Sequence, residues 1–439
     1  MLLGKDHPVS VIQKYSGFGV VLGCLLFLLS LVPQWENLYK LSSLCYWAVF
    51  ISAWPRLESR NKKQIGALLI AGVIALIVSA LLGTNLLSIT LLEGNLGIVA
   101  MLTGVSLLGL LPDTVKKTSP ATAAKGVIHT WSSVHLLGSV INMSAIFLVG
   151  DKLQRQNEKM TMPQYTVLVR GLTSAGLWSP FFASIAVALS IAPDAEFHNL
   201  VLLGVPMAIC SCLITLWEFK RQDYLSTFSG FPIAVHSLLF PITLASLVII
   251  FHYLILPQTP ILAVVTLLSP VSVMVLLSFK YGLYSSTRQL RDHIYIRLPN
   301  LANVIALFLS AGFLTKAVSL ALASSFGADW SLFNHFGFNE ALLCFIGICF
   351  MSLLGLHPIV GISLMSSLVP ANSADNTLLA FVSLTSWAVG TAISPLSAIN
   401  LSISGKYGVD NFELARSNWL YGAIMCGVVA ISMIMLVAL

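Results

Sequence analysis

The sequence predicts an all-α, polytopic membrane protein, and its composition and the length of its apolar runs support this prediction. Hydrophobic residues make up 57% of the 439 residues, charged residues only 9%, and the mean hydropathy is +0.90. A water-soluble fold needs more polar residues to cover its surface. The apolar runs are about 16 to 27 residues long, which is typical of membrane-spanning helices rather than of the roughly ten-residue strands of a membrane β-barrel.

Eleven apolar runs are predicted to be full membrane spans. They lie at 17–32, 38–54, 65–87, 92–111, 164–190, 200–219, 233–255, 261–279, 301–325, 377–403 and 418–438. The run at 17–32 is interpreted as a retained helix, because no small-residue cleavage site of a signal peptide follows it. Two further apolar segments, 127–149 and 339–369, either cross the membrane or turn back within it, and this choice decides the fold.

The distribution of lysine and arginine in the loops favours two re-entrant hairpins. Basic loops face the cytoplasm, so the strongly basic loop at 56–63 places the N-terminus inside. A hairpin at 127–149, which enters and leaves on one side, keeps the basic loop 150–163 inside as well. A second hairpin at 339–369, entering from outside, keeps the loop 370–376 outside, since that loop has no lysine or arginine. The C-terminus then lies outside.

Each half of the chain contains a long apolar run that a serine-proline pair interrupts. Ser179-Pro180 and Ser394-Pro395 lie 215 residues apart (394 − 179), which is about half of the chain. Matching interruptions of this kind are the best indication of a transporter binding site that a sequence offers. The predicted organisation is an N-terminal leading helix (1–37), a first inverted repeat (38–219) with hairpin 127–149 and broken helix 164–190, and a second inverted repeat (220–439) with hairpin 339–369 and broken helix 377–403.

The polar residues at the hairpin tips and helix breaks are the candidate binding residues. Unwound backbone inside a membrane leaves N–H and C=O groups that need a ligand, water or side chain as partner. Half-helix N-termini suit anions and half-helix C-termini suit cations. The candidates for substrate or ion binding are Ser139, Asn142, Ser144, Ser179, Pro180, His357, Gly361, Ser363, Ser394, Pro395, Ser397 and Asn400. The alternative is that serine and proline only kink these helices and bond their own backbone.

Two titratable residues have both a functional and a structural interpretation. Lys316 is interpreted as the one cation well inside a predicted span, and a charge in the membrane indicates function by default. It either compensates charge, as a substitute for a coupling cation or a partner of the substrate, or it snorkels outward, since about nine residues follow it in the span. His357 either contacts a carboxylate or titrates, or it caps the turn before Pro358.

The sequence contains no pattern typical of an enzyme or a metal centre. It has no Walker loop, no His-Glu-x-x-His and no Gly-x-Ser-x-Gly, so we expect no catalytic residues, no metal and no cofactor. All seven cysteines lie in apolar segments, which argues against disulfides. The net charge of +6 comes from loop residues and indicates membrane orientation rather than a nucleic-acid partner. The absence of a nucleotide motif favours secondary over ATP-driven transport.

One leading helix followed by two inverted units, each with a hairpin before a broken helix, resembles the ion transporter superfamily, and most nearly its divalent anion:sodium symporters. The stretch 390–405 is similar to the Thr-Pro-Pro-Asn type stretch in that family's second broken helix. The family's Ser-Asn-Thr hairpin tips are replaced here by other polar residues: Ser139, Asn142 and Ser144 in the first, and His357, Pro358, Gly361 and Ser363 in the second.

The resemblance implies a secondary active transporter of the cytoplasmic (inner) membrane. Its substrate would be a small anion, with an organic carboxylate as the first candidate, and its coupling ion sodium or protons. The family's elevator mechanism slides a transport domain of hairpins and broken helices against the scaffold of a homodimer. The linkers 112–126 and 280–300 would then be interfacial arms in contact with membrane lipid.

Other functions are compatible with the same sequence. The large permease subunit of a tripartite, binding-protein-dependent transporter shares the superfamily's layout. A membrane enzyme of envelope polysaccharide assembly usually has a large basic external loop, and the predicted outside loops here are short. A lipid-carrier flippase is the remaining alternative.

Overall fold

The computed structural model describes residues 11–86, 88–111, 121–156, 159–231, 239–327, 330–369 and 375–438. Its α-helices are, in chain order, α1 (Val11–Ser30), α2 (Leu38–Ala53), α3 (Ser59–Leu81), α4 (Leu96–Ser106), α5 (Ala123–Ile141), α6 (Ser144–Gln156), α7 (Met162–Ala175), α8 (Ala183–Ile191), α9 (Phe197–Arg221), α10 (Leu239–Ile250), α11 (Ile261–Tyr281), α12 (Leu283–Asp292), α13 (Ala302–Phe326), α14 (Phe338–Leu353), α15 (Pro358–Leu368), α16 (Asn376–Ile393), α17 (Ala398–Tyr407), α18 (Asn411–Arg416) and α19 (Trp419–Ala438). Two short strands, β1 (Ala121–Thr122) and β2 (Ser229–Gly230), pair antiparallel with Ala121 opposite Gly230.

Seven helical stretches in the described part of the chain are long and apolar enough to cross a membrane. They are Ser59–Leu81, Ile89–Leu110, Phe197–Arg221, Ile261–Tyr281, Leu283–Phe326, Asn376–Tyr407 and Asn411–Ala438. Shorter apolar helices occur at Tyr15–Ser30, Ile242–Ile255, Phe338–Leu353 and Pro358–Leu368. The prediction of a helical, membrane-embedded protein is confirmed at this level.

Four interruptions between helices contain or adjoin the predicted binding residues. Residues 176–182, here called the first break, separate α7 from α8, and residues 394–397, the second break, separate α16 from α17. Residues 142–143, the first turn, join α5 to α6, and residues 354–357, the second turn, join α14 to α15. Both breaks contain a proline, which has no N–H to continue the helical hydrogen bonding.

The chain divides into two compact units. Unit 1 comprises Met1–Leu111 and Leu256–Ser325, and unit 2 comprises Pro112–Ile255 and Phe326–Leu439. In unit 1, α1 packs on α2 and α4 packs on α11. In unit 2, α5 packs on α7, α14 and α8 pack on α16, and α9 packs on α19. Both breaks and both turns therefore belong to unit 2.

Helix α16 forms the centre of unit 2. All of its residues from Thr377 to Ile393 are buried, so this helix has protein on every side. Its sequence alternates small, hydroxyl and large apolar residues, and hydroxyl groups such as that of Thr385 donate to the carbonyl four residues earlier. A polar side chain is tolerated at such a position because its hydrogen bond is made within its own helix.

The two predicted interfacial linkers are described to different extents. Residues 112–120 of the first linker lie outside the described residues, and the rest forms β1 and the start of α5. The second linker contains α12, which exposes Leu283 and Tyr284, and continues through a π turn, His293–Arg297, towards α13.

Candidate functional site

The first turn lies directly against the first break. The Ser179 hydroxyl donates a hydrogen bond to the carbonyl oxygen of Ser139 in the last turn of α5 and accepts one from the N–H of Phe181 at 3.2 Å. The Asn142 side-chain amide donates to the carbonyl oxygen of Phe181 at 3.2 Å. Two of these hydrogen bonds therefore satisfy backbone groups of Phe181 in the first break, and the third satisfies a carbonyl at the end of α5.

The first turn has a backbone conformation that residues other than glycine rarely adopt. Asn142 has a φ of 54° and a ψ of −135°, which lies outside the left-handed helical region that asparagine tolerates. The next helix starts at Ser144, which is exposed, whereas Pro180 in the break is buried. The structure thus brings Ser139, Asn142 and Ser179 together, whereas Ser144 is exposed.

A histidine between two tryptophans lies beside the first break. Trp178 Nε1 donates to His135 Nε2 at 3.0 Å, so this nitrogen is the acceptor and Nδ1 carries the proton. Nδ1 lies 3.0 Å from the Ser174 hydroxyl and 3.2 Å from the carbonyl oxygen of Gly171. Trp131 stacks on the other face of the ring, with 4.4 Å between centroids. His135 is therefore a fully bonded, neutral packing residue.

The second break is organised by one asparagine. Asn400 Nδ2 donates to the carbonyl oxygens of Ser394, at 2.8 Å, and Ala392, at 3.3 Å. The Ser397 hydroxyl accepts from the N–H of Asn400 at 3.2 Å and so caps α17. Asn411 adds a hydrogen bond to the carbonyl oxygen of Pro395 at 2.8 Å. The carbonyls at the end of α16 are thus held by side chains from the following segment.

Two buried oxygen atoms near the second break have no partner among the described residues. They are Oδ1 of Asn400 and Oγ1 of Thr391, and the two residues expose only 0% and 5% of their surfaces. Leaving a buried acceptor unpaired costs about 1–3 kcal/mol. The second break therefore has unused capacity to bind a polar ligand or an ion.

The second turn contacts the second break as the first turn contacts the first. Gly355 in the turn packs against the side chain of Leu396. His357 caps α15, because its Nδ1 accepts from the N–H of Ile359 at 3.2 Å. Its ring lies edge-on to Trp387 of α16 at 4.9 Å. This geometry matches the structural interpretation of His357 and leaves its other ring nitrogen as a donor.

The remaining candidates of the second hairpin lie within a helix rather than at the turn. Gly361 is in the first turns of α15, where a side chain would meet Ile348 of α14. Ser363 is buried, and its carbonyl oxygen accepts from the hydroxyls of Ser366 and Ser367. The close contact at Gly361 accounts for glycine at this position by helix packing.

The sequence interpretation of Lys316 as the one intramembrane cation was wrong, because Arg170 lies within the predicted span 164–190. Arg170 is fully buried and forms an ion pair of 2.8 Å with Glu218 of α9. Its guanidinium also donates to the Asn418 side chain at 2.9 Å and to the Ser417 carbonyl at 2.8 Å. The sequence feature that could have identified this buried cation is a single arginine six residues into the predicted span.

A second ion pair connects α6 to α17. Lys406 in the last turn of α17 lies 2.6 Å from Asp151 of α6, and the Tyr407 hydroxyl donates to the same carboxylate at 2.9 Å. Lys406 also lies 4.7 Å from the centre of the Phe147 ring. This pair therefore joins α6 and α17, one helix from each predicted repeat.

Lys316 lies in unit 1, on α13, and is exposed. It lines a cleft of about 450 Å³ with Asn85, Ser88, Thr90, Leu91, Ser319 and Leu320. None of the other predicted binding residues lines this cleft. Lys316 therefore belongs to a different unit of the chain from the residues of the two breaks.

No known protein-family model matches this chain, and no curated protein is significantly similar to it. The resemblance to the divalent anion:sodium symporters stays a prediction from the sequence.

Proposed function

We propose that the chain is a secondary active transporter that carries a small anion, with an organic carboxylate as the first candidate, across the cytoplasmic membrane. The observation that supports this most is the pairing of a helix break with a helix turn, which unit 2 contains twice at corresponding positions of the sequence. Broken helices inside a membrane protein expose backbone dipoles to a ligand, and transporters use them to bind substrates and coupling ions.

The second break is the proposed ligand position. Ala392 and Ser394 present carbonyl oxygens there, and the unpartnered oxygens of Asn400 and Thr391 lie in the same region. Oxygen groups of this kind suit a sodium ion or a protonated ligand group. The N-termini of α8 and α17, where helices restart after the breaks, suit the negative charge of an anion.

The proposed topology has eleven spans and two re-entrant hairpins in inverted repeats, with the N-terminus inside and the C-terminus outside. The assignment of both breaks and both turns to unit 2 supports an elevator mechanism in which this unit is the transport domain. Unit 1 is the proposed scaffold of a homodimer. The coupling ion is sodium or the proton.

An uptake experiment tests the function. The purified protein is reconstituted into liposomes, and accumulation of labelled dicarboxylates, monocarboxylates, sulfate and phosphate is measured with a sodium gradient, a proton gradient or neither. We expect gradient-dependent uptake of a carboxylate. Asn400→Leu should abolish or strongly weaken it, whereas Asn199→Leu, a control at a partly exposed asparagine of the same unit, should not.

Two results contradict the proposal. If no anion is accumulated under any gradient, or if uptake requires an added soluble binding protein, the chain is not a self-sufficient secondary transporter. If uptake occurs and Asn400→Leu equals the wild type, transport stands and the position of the site is wrong.

Single-cysteine labelling tests the topology separately. After removal of the native cysteines, Gln156 and Asn372 should be accessible from opposite faces of the membrane. Asn372 lies outside the described residues, so the prediction for it rests on the charge distribution alone. Labelling of both positions from one face contradicts the inverted repeats.

A further inference from the structure

A non-helical segment of unit 1 runs along α13. Thr84 hydrogen-bonds to Ser324 at 2.7 Å, the backbone of Gly94 contacts that of Gly312, and Asn95 donates to the carbonyl oxygen of Phe308 at 2.9 Å. As the segment proceeds from residue 84 to 95, its partners on α13 therefore run from 324 back to 308. The segment is antiparallel to α13 and reaches well past its last turns.

Residues 89–95 of this segment begin the candidate membrane span Ile89–Leu110, and α13 belongs to another candidate span. Among its described residues the segment is helical only at the 3₁₀ turn Ile89–Leu92. Non-helical backbone beside a span is stable only where it contacts protein or borders a watery cavity. A cleft of about 450 Å³ is lined by residues of the segment and of α13, and its volume falls in the range of small-ligand sites.

The groups that line the cleft are suited to an anion with several oxygens. Lys316 supplies a positive charge, and Ser88, Thr90 and Ser319 supply hydroxyl groups. The Ser88 and Thr90 hydroxyls hydrogen-bond to each other at 2.6 Å, so one of these two and the hydroxyl of Ser319 are left to donate to a ligand. No carboxylate lines the cleft, and Lys316 has no ion pair among the described residues. Charge-assisted hydrogen bonds to a lysine and several hydroxyls are the usual way in which proteins hold phosphate groups.

The helix that directly precedes the segment exposes apolar side chains. The last turns of α3 expose Ile77, Val78 and Leu81 by 53%, 40% and 82%. A phosphate-bearing lipid has a negative headgroup joined to acyl chains, and the lysine and hydroxyls of the cleft suit the headgroup as the exposed side chains of α3 suit the acyl chains.

We propose that this cleft binds a phosphate group, with Lys316 as its charge partner and with the Ser319 hydroxyl and one hydroxyl of the Ser88–Thr90 pair as hydrogen-bond donors. The source is a phospholipid headgroup or free phosphate, which share this chemistry. The role of Lys316 is then to hold a phosphate on unit 1, separate from transport chemistry at the breaks.

Lipid binding to the purified full-length protein tests the proposal. Native mass spectrometry measures the affinity for phosphatidylglycerol and, as a phosphate-free control, for galactosyl diacylglycerol; inorganic phosphate is added as a competitor. The variants are Lys316→Gln, Ser319→Ala and Lys40→Gln, the last a control at another exposed lysine of unit 1, outside both predicted interfacial linkers. We expect Lys316→Gln to weaken phosphatidylglycerol binding about fivefold, the contribution typical of one lysine near a membrane surface. Lys40→Gln should leave phosphatidylglycerol binding unchanged, and none of the variants should change binding of the galactolipid.

The outcomes separate the two sources and can overturn the proposal. Competition by millimolar inorganic phosphate identifies free phosphate as a ligand, and lipid binding without such competition identifies the headgroup. If phosphatidylglycerol binds no better than the galactolipid, or binds wild type and Lys316→Gln equally, the proposal is wrong. If Lys316→Gln does not fold, Ser319→Ala provides the same comparison.

Discussion

The two broken helices of unit 2 differ in how many of the polar groups at their breaks have hydrogen-bond partners within the protein. At the first break, Ser179 and Asn142 close the gap with hydrogen bonds to the first turn. At the second break, Asn400 uses its amide nitrogen on two carbonyls but leaves its oxygen unpaired, as does Thr391. At the first break the protein itself supplies the hydrogen-bond partners, whereas the second break retains unpaired oxygen atoms with which a ligand can form hydrogen bonds.

The half-helices that precede the breaks, α7 and α16, also differ in how they are bound to neighbouring helices. The spacing of 215 residues that relates Ser179 to Ser394 also relates Arg170 to Thr385 (385 − 170). Arg170 is bound by groups on α9 and at the start of α19, whereas the Thr385 hydroxyl bonds only within its own helix, to Phe381 at 2.7 Å. The first broken helix is thus fixed to its neighbours by charge, and the second is held mainly by packing. We expect the stability of the fold to depend more on the first broken helix, and ligand binding to depend more on the second.

The largest expected effect comes from breaking the ion pair of the first broken helix. Arg170→Met leaves Glu218 buried without a charged partner, which typically costs about 3–5 kcal/mol. Thr385→Val, the matched change in the second broken helix, should cost less than about 1 kcal/mol, since no buried group loses its only partner. Denaturant unfolding of the purified protein in detergent measures both.

The double variant Arg170→Met with Glu218→Leu is the control for this first prediction. Replacing both charges by apolar groups should restore most of the lost stability. If Arg170→Met alone unfolds at the wild-type denaturant concentration, the first helix is not fixed by this pair.

The next effect concerns ligand affinity at the second break. Asn400→Leu removes both the donor and the unpaired acceptor, and losing such a partner at a buried polar site costs about 1–3 kcal/mol, or roughly 5- to 150-fold in affinity. Asn142→Gly keeps the positive φ of the first turn and should change affinity much less. Substrate binding by isothermal calorimetry compares the two. An equal loss at Asn142 would mean that both breaks bind ligand.

Helices α9 and α19 pack near the first and the second break, respectively, through a glycine. We expect the difference between these two contacts to have a smaller effect on stability. A side chain at Gly204 of α9 would collide with the backbone carbonyl of Leu177, whereas one at Gly422 of α19 would meet only the side chain of Ile393. Overpacking typically costs about 1–3 kcal/mol, and backbone yields less easily than a side chain. We expect a larger fall in the melting temperature for Gly204→Ala than for Gly422→Ala, and the reverse order would contradict this account.

The smallest effect is expected at the ion pair between α6 and α17. Lys406 and Asp151 keep 19% and 38% of their side chains exposed, and partly exposed pairs contribute about 0–1 kcal/mol. Lys406→Gln should therefore lower the melting temperature only slightly, and the loss should shrink further in high salt. A loss as large as that of Arg170→Met would show that the second broken helix is also fixed by charge.

Several features of unit 2 were predictable because they depend on neighbouring residues. Pro180 and Pro395 cannot donate a backbone hydrogen bond, so the positions of both breaks follow from local chemistry. Pro358 likewise favours the start of a helix, and His357 before it is a capping position. Composition indicated a membrane protein, since a chain with 9% charged residues has too few polar groups for a soluble surface, and the length of the apolar runs indicated helices.

The partners of these residues were decided only by the tertiary structure. Arg170 meets Asn418, 248 residues further along the chain, and Lys316 lies beside a segment that precedes it by more than 220 residues. No local sequence pattern predicts whether a charged side chain inside an apolar run will contact a buried partner or line a cleft. The sequence by itself determined where helices form and stop, because helix formation depends on hydrogen bonds four residues apart. Which oxygen atoms stay unpaired depends on side chains from distant helices, and these meet only when the chain packs.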